Sequence, residues 1–110
     1  MQQIERVCLA YSVRNSVVGY CQGFNFIAGR LLQVLTEEET FFTMCQIIEC
    51  LMPLDYYQLM VGARIDQSIM EVLLEQRLPK LVEHLRQCSY EPSMATLQWF
   101  TCLFAYTFQF

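Results

Sequence analysis

Apolar residues recur along this chain at spacings of three and four, and alternation is never sustained, so the pattern predicts helices throughout. Ile4, Val7, Cys8 and Tyr11 form one helical stripe. Arg14-Asn15-Ser16 breaks it, and Gly19 then offers a backbone position free of side-chain constraint. A second helix is expected from about Gln22 to Leu35, with Phe24, Ile27, Ala28, Leu31, Val34 and Leu35 facing inward. The third helix has the clearest start: Thr36 followed by Glu39 is a capping box, and Glu37, Glu38 and Glu39 set negative charge at the positive end of the helix dipole. Phe41, Met44, Cys45, Ile48 and Leu51 supply its buried stripe, and Pro53 stops it.

Pro53 to Gly62 reads as a turn or short helix carrying Tyr56 and Tyr57. A helix from about Ala63 to Gln76 aligns Ile65, Ile69, Val72 and Leu73 on one side. Pro79 suits the first turn of the next helix, where Leu81, Val82 and Leu85 repeat. Pro92 and Ser93 punctuate a last segment that packs Met94, Leu97, Trp99, Phe100 and Leu103 inward. The fold class is therefore all-α.

Composition adds one point. Of 110 residues, 55% are hydrophobic and only 16% charged, which is apolar for so short a free-standing globule. The chain is expected to be a segment of a larger helical domain, with faces that another part buries; the apolar run Leu103–Phe110, with no cap and no polar tail, points the same way. A net charge of −4 with few, scattered basic residues gives no footprint for a nucleic-acid partner. No apolar run reaches the roughly 18–20 residues of a membrane span, and no charged-then-apolar signal starts the chain.

Six cysteines (Cys8, Cys21, Cys45, Cys50, Cys88 and Cys102) lie mostly within apolar helical patterns and form no Cys-x-x-Cys pair. They are expected to be free thiols packed as small hydrophobes, which implies a cytoplasmic location. His84 is the lone histidine, read as solvated or hydrogen-bonded, and the acidic triplet reads as a helix start rather than a metal site.

One stretch carries more. In Val18–Gly29, VGYCQGFNFIAG, polar side chains interrupt an apolar region between glycines. Tyr20-Cys21-Gln22-Gly23-Phe24-Asn25 resembles the Tyr-x-Gln-Gly-Met-Asn signature of the TBC domain of Rab GTPase-activating proteins. Leu9–Asn15 resembles the helix end and turn ahead of that signature, and Pro53-Leu54-Asp55-Tyr56-Tyr57 resembles the family's Pro-x-x-Tyr-Tyr segment. Asp66-Gln67, Leu78-Pro79 and the block Ser93–Ala105 with Trp99-Phe100 follow in the family's order, so the resemblance covers nearly the whole chain.

The resemblance implies an orthogonal multi-helical domain fragment of about six or seven short helices, residues 1–110 being part of a Rab-GAP TBC domain. It also implies stimulation of GTP hydrolysis on a GTP-bound Rab partner, where a water must be oriented and phosphoryl charge neutralised. The family supplies an arginine finger and a glutamine finger in trans. By resemblance Gln22 is the glutamine finger; its carbonyl can accept from water while its amide donates to a phosphate oxygen. Tyr20 and Asn25 would fix the turn, and Gly19 and Gly23 would permit close backbone approach. Phe24 stands where the family usually has Met, with packing expected to change little.

The family's arginine motif, Ile-x-x-Asp-x-x-Arg, fits no window here: Ile65 is followed at once by Asp66, with Ser68 where Asp should stand. Arg6 and Arg14 lack the motif, and Arg14 reads as a turn residue. The arginine block is expected upstream and further helices downstream, leaving this segment alone nearly inactive. The alternative is a non-catalytic Rab-binding or scaffold protein of the same fold. GTP and magnesium would come with the Rab, no cofactor being the chain's own. Recruitment to endomembranes would be peripheral.

Overall fold

Thr36 opens its helix as the local sequence dictates. Its hydroxyl accepts from the Glu39 amide at 3.4 Å, and the Glu39 carboxylate accepts from the Thr36 amide at 2.9 Å, completing the capping box. The structure, a computed structural model, describes residues 1–108. Six α-helices occur among them: α1 (Gln2–Arg14), α2 (Phe24–Leu31), α3 (Glu37–Gln46), α4 (Val61–Arg77), α5 (Pro79–Gln87) and α6 (Pro92–Thr101). No strand occurs among the described residues. The all-α expectation is met.

The helices form two groups within an elongated body of 46 × 29 × 21 Å. Helices α1, α2 and α3 pack on one another; α4 carries α5 and α6. The core lies in the first group, where Val7, Cys8, Tyr11, Phe24, Ile27, Ala28, Met44, Cys45 and Ile48 are buried as the periodicity predicts. Tyr56, Tyr57 and Ala63 close it from the α4 side. The two tyrosines stack edge to face at 5.1 Å, and the Tyr57 hydroxyl donates to the Thr101 carbonyl at 3.3 Å, tying the groups together.

Several expectations are corrected. The second helix starts at Phe24 rather than Gln22 and ends at Leu31; a turn follows and leaves Val34 80% exposed. Residues 32–35 must bend so that Thr36 can enter α3 in an extended conformation, with ψ 166°. Leu51 is exposed, because the third helix does not continue as an α-helix to Pro53: Ile47–Leu51 forms a π turn, closed by the Met52 amide bonding the Ile47 carbonyl at 3.0 Å. On α4 the stripe Ile65, Ile69, Val72 and Leu73 exists but is about half exposed, and Met94 and Leu97 of α6 are also exposed. Trp99, Phe100, Leu103 and Phe104 are half-buried, and Tyr106 and Phe108 exposed. Gln109 and Phe110, the end of the apolar run, lie outside the described residues. No helix among the described residues is long and apolar enough to cross a membrane.

Candidate functional site

Gln22 does not head a helix. It sits in the turn between α1 and α2, one residue before Gly23, which caps α2. The approach is built step by step. Asn15 ends α1 with its amide bonded to the Tyr11 carbonyl at 2.9 Å. Its carbonyl accepts from the Gly19 amide at 2.8 Å, and its side-chain Oδ1 accepts from the Val18 amide at 3.2 Å. Gly19 then takes φ +64°, a conformation glycine adopts without steric cost.

Gly23 is the fixed point. Its φ is +121°, and a Cβ there would stand 2.7 Å from the Thr101 carbonyl oxygen and 2.8 Å from the Thr101 carbonyl carbon. The close approach at Gly23 is to the chain's own α6 end. At Gly19 nothing lies within 4 Å, and conformation alone favours glycine.

Around this turn the motif residues converge. The Tyr20 hydroxyl donates to Asn25 Oδ1 at 3.3 Å, clipping the residues before and after Gln22. Phe24 is fully buried and meets Tyr11 at 5.5 Å, Tyr57 at 4.9 Å and Tyr20 at 6.2 Å, each edge to face. A large apolar ring at position 24 therefore anchors the start of α2. Cys21 is buried, its thiol 3.4 Å from the Met60 sulfur, and burial pushes its pKa up to about 11, which keeps it neutral.

Gln22 itself is exposed. It borders a cleft of about 240 Å³ lined by Met60, Met94, Leu97, Gln98 and Thr101. Met60 reaches it from the Gln58–Met60 3₁₀ turn, where Leu59 and Met60 both take positive φ, 55° and 59°. Tyr20 and Asn25 face a different space, a groove of about 800 Å³ between α1 and α2. The chain thus offers one exposed carboxamide on a turn pinned at both ends.

Both arginines ahead of Gln22 are engaged. Arg6 grips Glu37 through two bonds of 2.7 Å. Arg14 grips Glu49 at 3.3 and 3.1 Å, and Asn15 Nδ2 also donates to Glu49 at 3.4 Å. The Arg14 guanidinium holds the Glu49 carboxyl below its ordinary value, as Arg6 does for Glu37. Arg14 is the last residue of α1 rather than part of the turn, and its guanidinium is engaged by Glu49. Sequence reasoning missed Glu49 and the Thr101 carbonyl; each lies at least 34 residues from its partner, and no local pattern marks it.

Cys8, Cys21, Cys45 and Cys102 are buried free thiols, as expected, whereas Cys50 and Cys88 are free but exposed. His84 is exposed, with its Nε2 3.8 Å from the Cys88 sulfur. Among the described residues no group of three or more metal-ligating side chains assembles.

The family model of the Rab-GTPase-TBC domain matches residues 1–110. The chain belongs to this family. It is similar to TBC1 domain family member 2A of Homo sapiens, 41% identical over 105 residues, covering 94% of this chain and 11% of that protein. It is likewise similar to TBC1 domain family member 2B of Xenopus tropicalis at 37% and of Homo sapiens at 35%, with the same coverage. The chain thus spans about a tenth of the length of these relatives. No solved structure matches it at a significant level.

Proposed function

We propose that this chain is the glutamine-presenting part of a GTPase-activating domain. It acts on a GTP-bound Rab-family GTPase, and Gln22 is the group delivered in trans. The observation that carries this reading is the exposed Gln22 carboxamide on a turn held by Gly23 against Thr101 and by the Tyr20–Asn25 bond. A carboxamide carried on a backbone so held can accept from the attacking water and donate to a phosphoryl oxygen, with only its own side chain left to order. GTP and magnesium arrive with the partner, and the encounter takes place in the cytoplasm or at the surface of an endomembrane carrying the Rab.

The two arginines ahead of Gln22 are paired with Glu37 and Glu49, and no window of the chain carries the family's arginine motif, so the charge-neutralising arginine is expected from another part of the domain. An arginine finger is worth about 10³–10⁵ in rate. Residues 1–110 on their own are therefore expected to stimulate hydrolysis little. The same arginine divides an activator from a binding scaffold of the same fold: a parent protein without it would bind the Rab and leave hydrolysis unchanged.

The test is single-turnover phosphate release from a panel of GTP-loaded Rab proteins, with the full-length protein that carries this segment. Gln22→Ala should remove most of the stimulation while binding and folding persist. Full activity of that variant on the preferred Rab would sink the glutamine assignment. Binding without stimulation by the unsubstituted protein would establish the scaffold instead.

A further inference from the structure

The π turn at Ile47–Leu51 places Glu49 where it reaches back, 34 residues in sequence, to Asn15 at the end of α1. We propose that Glu49 is a positioning residue for the Gln22 turn, acting through the Asn15 carboxamide; the inference rests on the reading of Gln22 given above.

The connection is a chain of single bonds. Asn15 Nδ2 is held by Glu49 Oε1 at 3.4 Å and by the Tyr11 hydroxyl at 3.3 Å. With its amino end so occupied, the carboxamide must aim Oδ1 the other way, where it accepts from the Val18 amide at 3.2 Å. The Asn15 carbonyl takes the Gly19 amide at 2.8 Å. Residues 15–19 therefore form a closed turn that fixes where Tyr20 and Gln22 emerge. Arg14 steadies the carboxylate from the other side through two bonds, so Glu49 cannot swing away from Asn15 freely.

Glu49 lies at the centre of the π turn, and π bulges are frequent at functional sites. The pair itself is half in solvent, with Arg14 48% and Glu49 24% exposed, and exposed ion pairs contribute little to folding stability. A carboxylate that adds little stability yet orders a turn three residues before the reacting group acts on geometry. Misplacing a catalytic group by about 1 Å can cost on the order of 100-fold in rate.

The experiment compares Glu49→Ala, Glu49→Gln and Gln22→Ala in the full-length protein, against the same GTP-loaded Rab. Glu49→Ala should lower the stimulated kcat by roughly ten- to a hundredfold with KM nearly unchanged. Glu49→Gln keeps an oxygen to accept from Asn15 Nδ2 and should recover much of that loss. Amide hydrogen exchange read without any partner should show Val18 exchanging faster in Glu49→Ala, with the α3 amides and the melting temperature hardly moved. Unchanged exchange at Val18, unchanged kcat, or no recovery in Glu49→Gln would each overturn the proposal. If Gln22→Ala proves active, the glutamine reading falls, and with it the catalytic part of this inference, whereas the exchange result still decides the link from Glu49 to the turn.

Discussion

Gly23 and Thr101, 78 residues apart, meet backbone to backbone, with room for a hydrogen but not a methyl group between the Gly23 Cα and the Thr101 carbonyl. Gly23→Ala must therefore both leave φ +121° and push α6 away. It should destabilise the fold by about 2–4 kcal/mol, whereas Gly19→Ala, with open space at its Cβ, should cost about 1 kcal/mol. Denaturant midpoints of the two variants check the ranking; equal losses would mean that the contact with Thr101 is not tight.

Acid should loosen the α1–α3 seam. The carboxyl groups of Glu37, Glu39 and Glu49 are all held below the ordinary 4.5: Glu37 by its bond to Arg6, Glu39 by the Thr36 amide, Glu49 by its bond to Arg14. A depressed carboxylate contributes stability that is complete above its unfolded pKa and lost as pH falls through the folded one. These groups are largely in solvent and each contributes little, so stability should decline modestly below about pH 4.5, and the triple substitution of Glu37, Glu39 and Glu49 to Gln should flatten that part of the slope. Urea unfolding between pH 3 and 7 measures it; an unaltered slope in the triple variant would refute the assignment.

Thiol reactivity should split the cysteines two to four. Cys50 and Cys88 are exposed, while Cys8, Cys21, Cys45 and Cys102 are buried, with burial also pushing up the thiols of Cys8, Cys21 and Cys45. A disulfide reagent at pH 8 should titrate two thiols of this segment quickly and the other four only on unfolding. Mass spectrometry of the labelled peptides identifies which.

Thr40 is fully buried in α3, and its hydroxyl finds no hydrogen-bond partner among the described residues. Replacing it with valine keeps the shape and removes an unpaid desolvation, so Thr40→Val should raise stability by about 1 kcal/mol. A lower melting temperature for that variant would mean that the hydroxyl is satisfied in solution.

What could be read from the sequence depended on distance. The Thr36–Glu39 capping box is spelled within four residues, and the stripe Val7, Cys8, Tyr11 needs only one helix, so both stand as expected. The spacing of Val34 and Leu35 continues that of α2 past its true end at Leu31, while the turn that overrides them is imposed by the entry into α3. Periodicity likewise marked Ile65, Ile69, Val72 and Leu73 as one face of α4 but carries no information about whether a neighbour covers it. The motif around Gln22 was legible as a motif. That its glycine is pinned by Thr101 and its approach by Glu49 was not, since each partner lies far along the chain and is of an unremarkable residue type.

The π turn has a consequence for length. Five residues there close a loop that an α-helix would close with four, so Ile47–Leu51 holds one surplus residue. Deleting Ile47 or Ile48 would let the regular spiral resume and rotate everything after it by about 100° relative to α3, carrying Glu49 off its bearing on Asn15. Most surface side chains of this segment could be exchanged at little cost. Its count of residues between Gln46 and Pro53 could not, and in that span a one-codon deletion should do more harm than several substitutions.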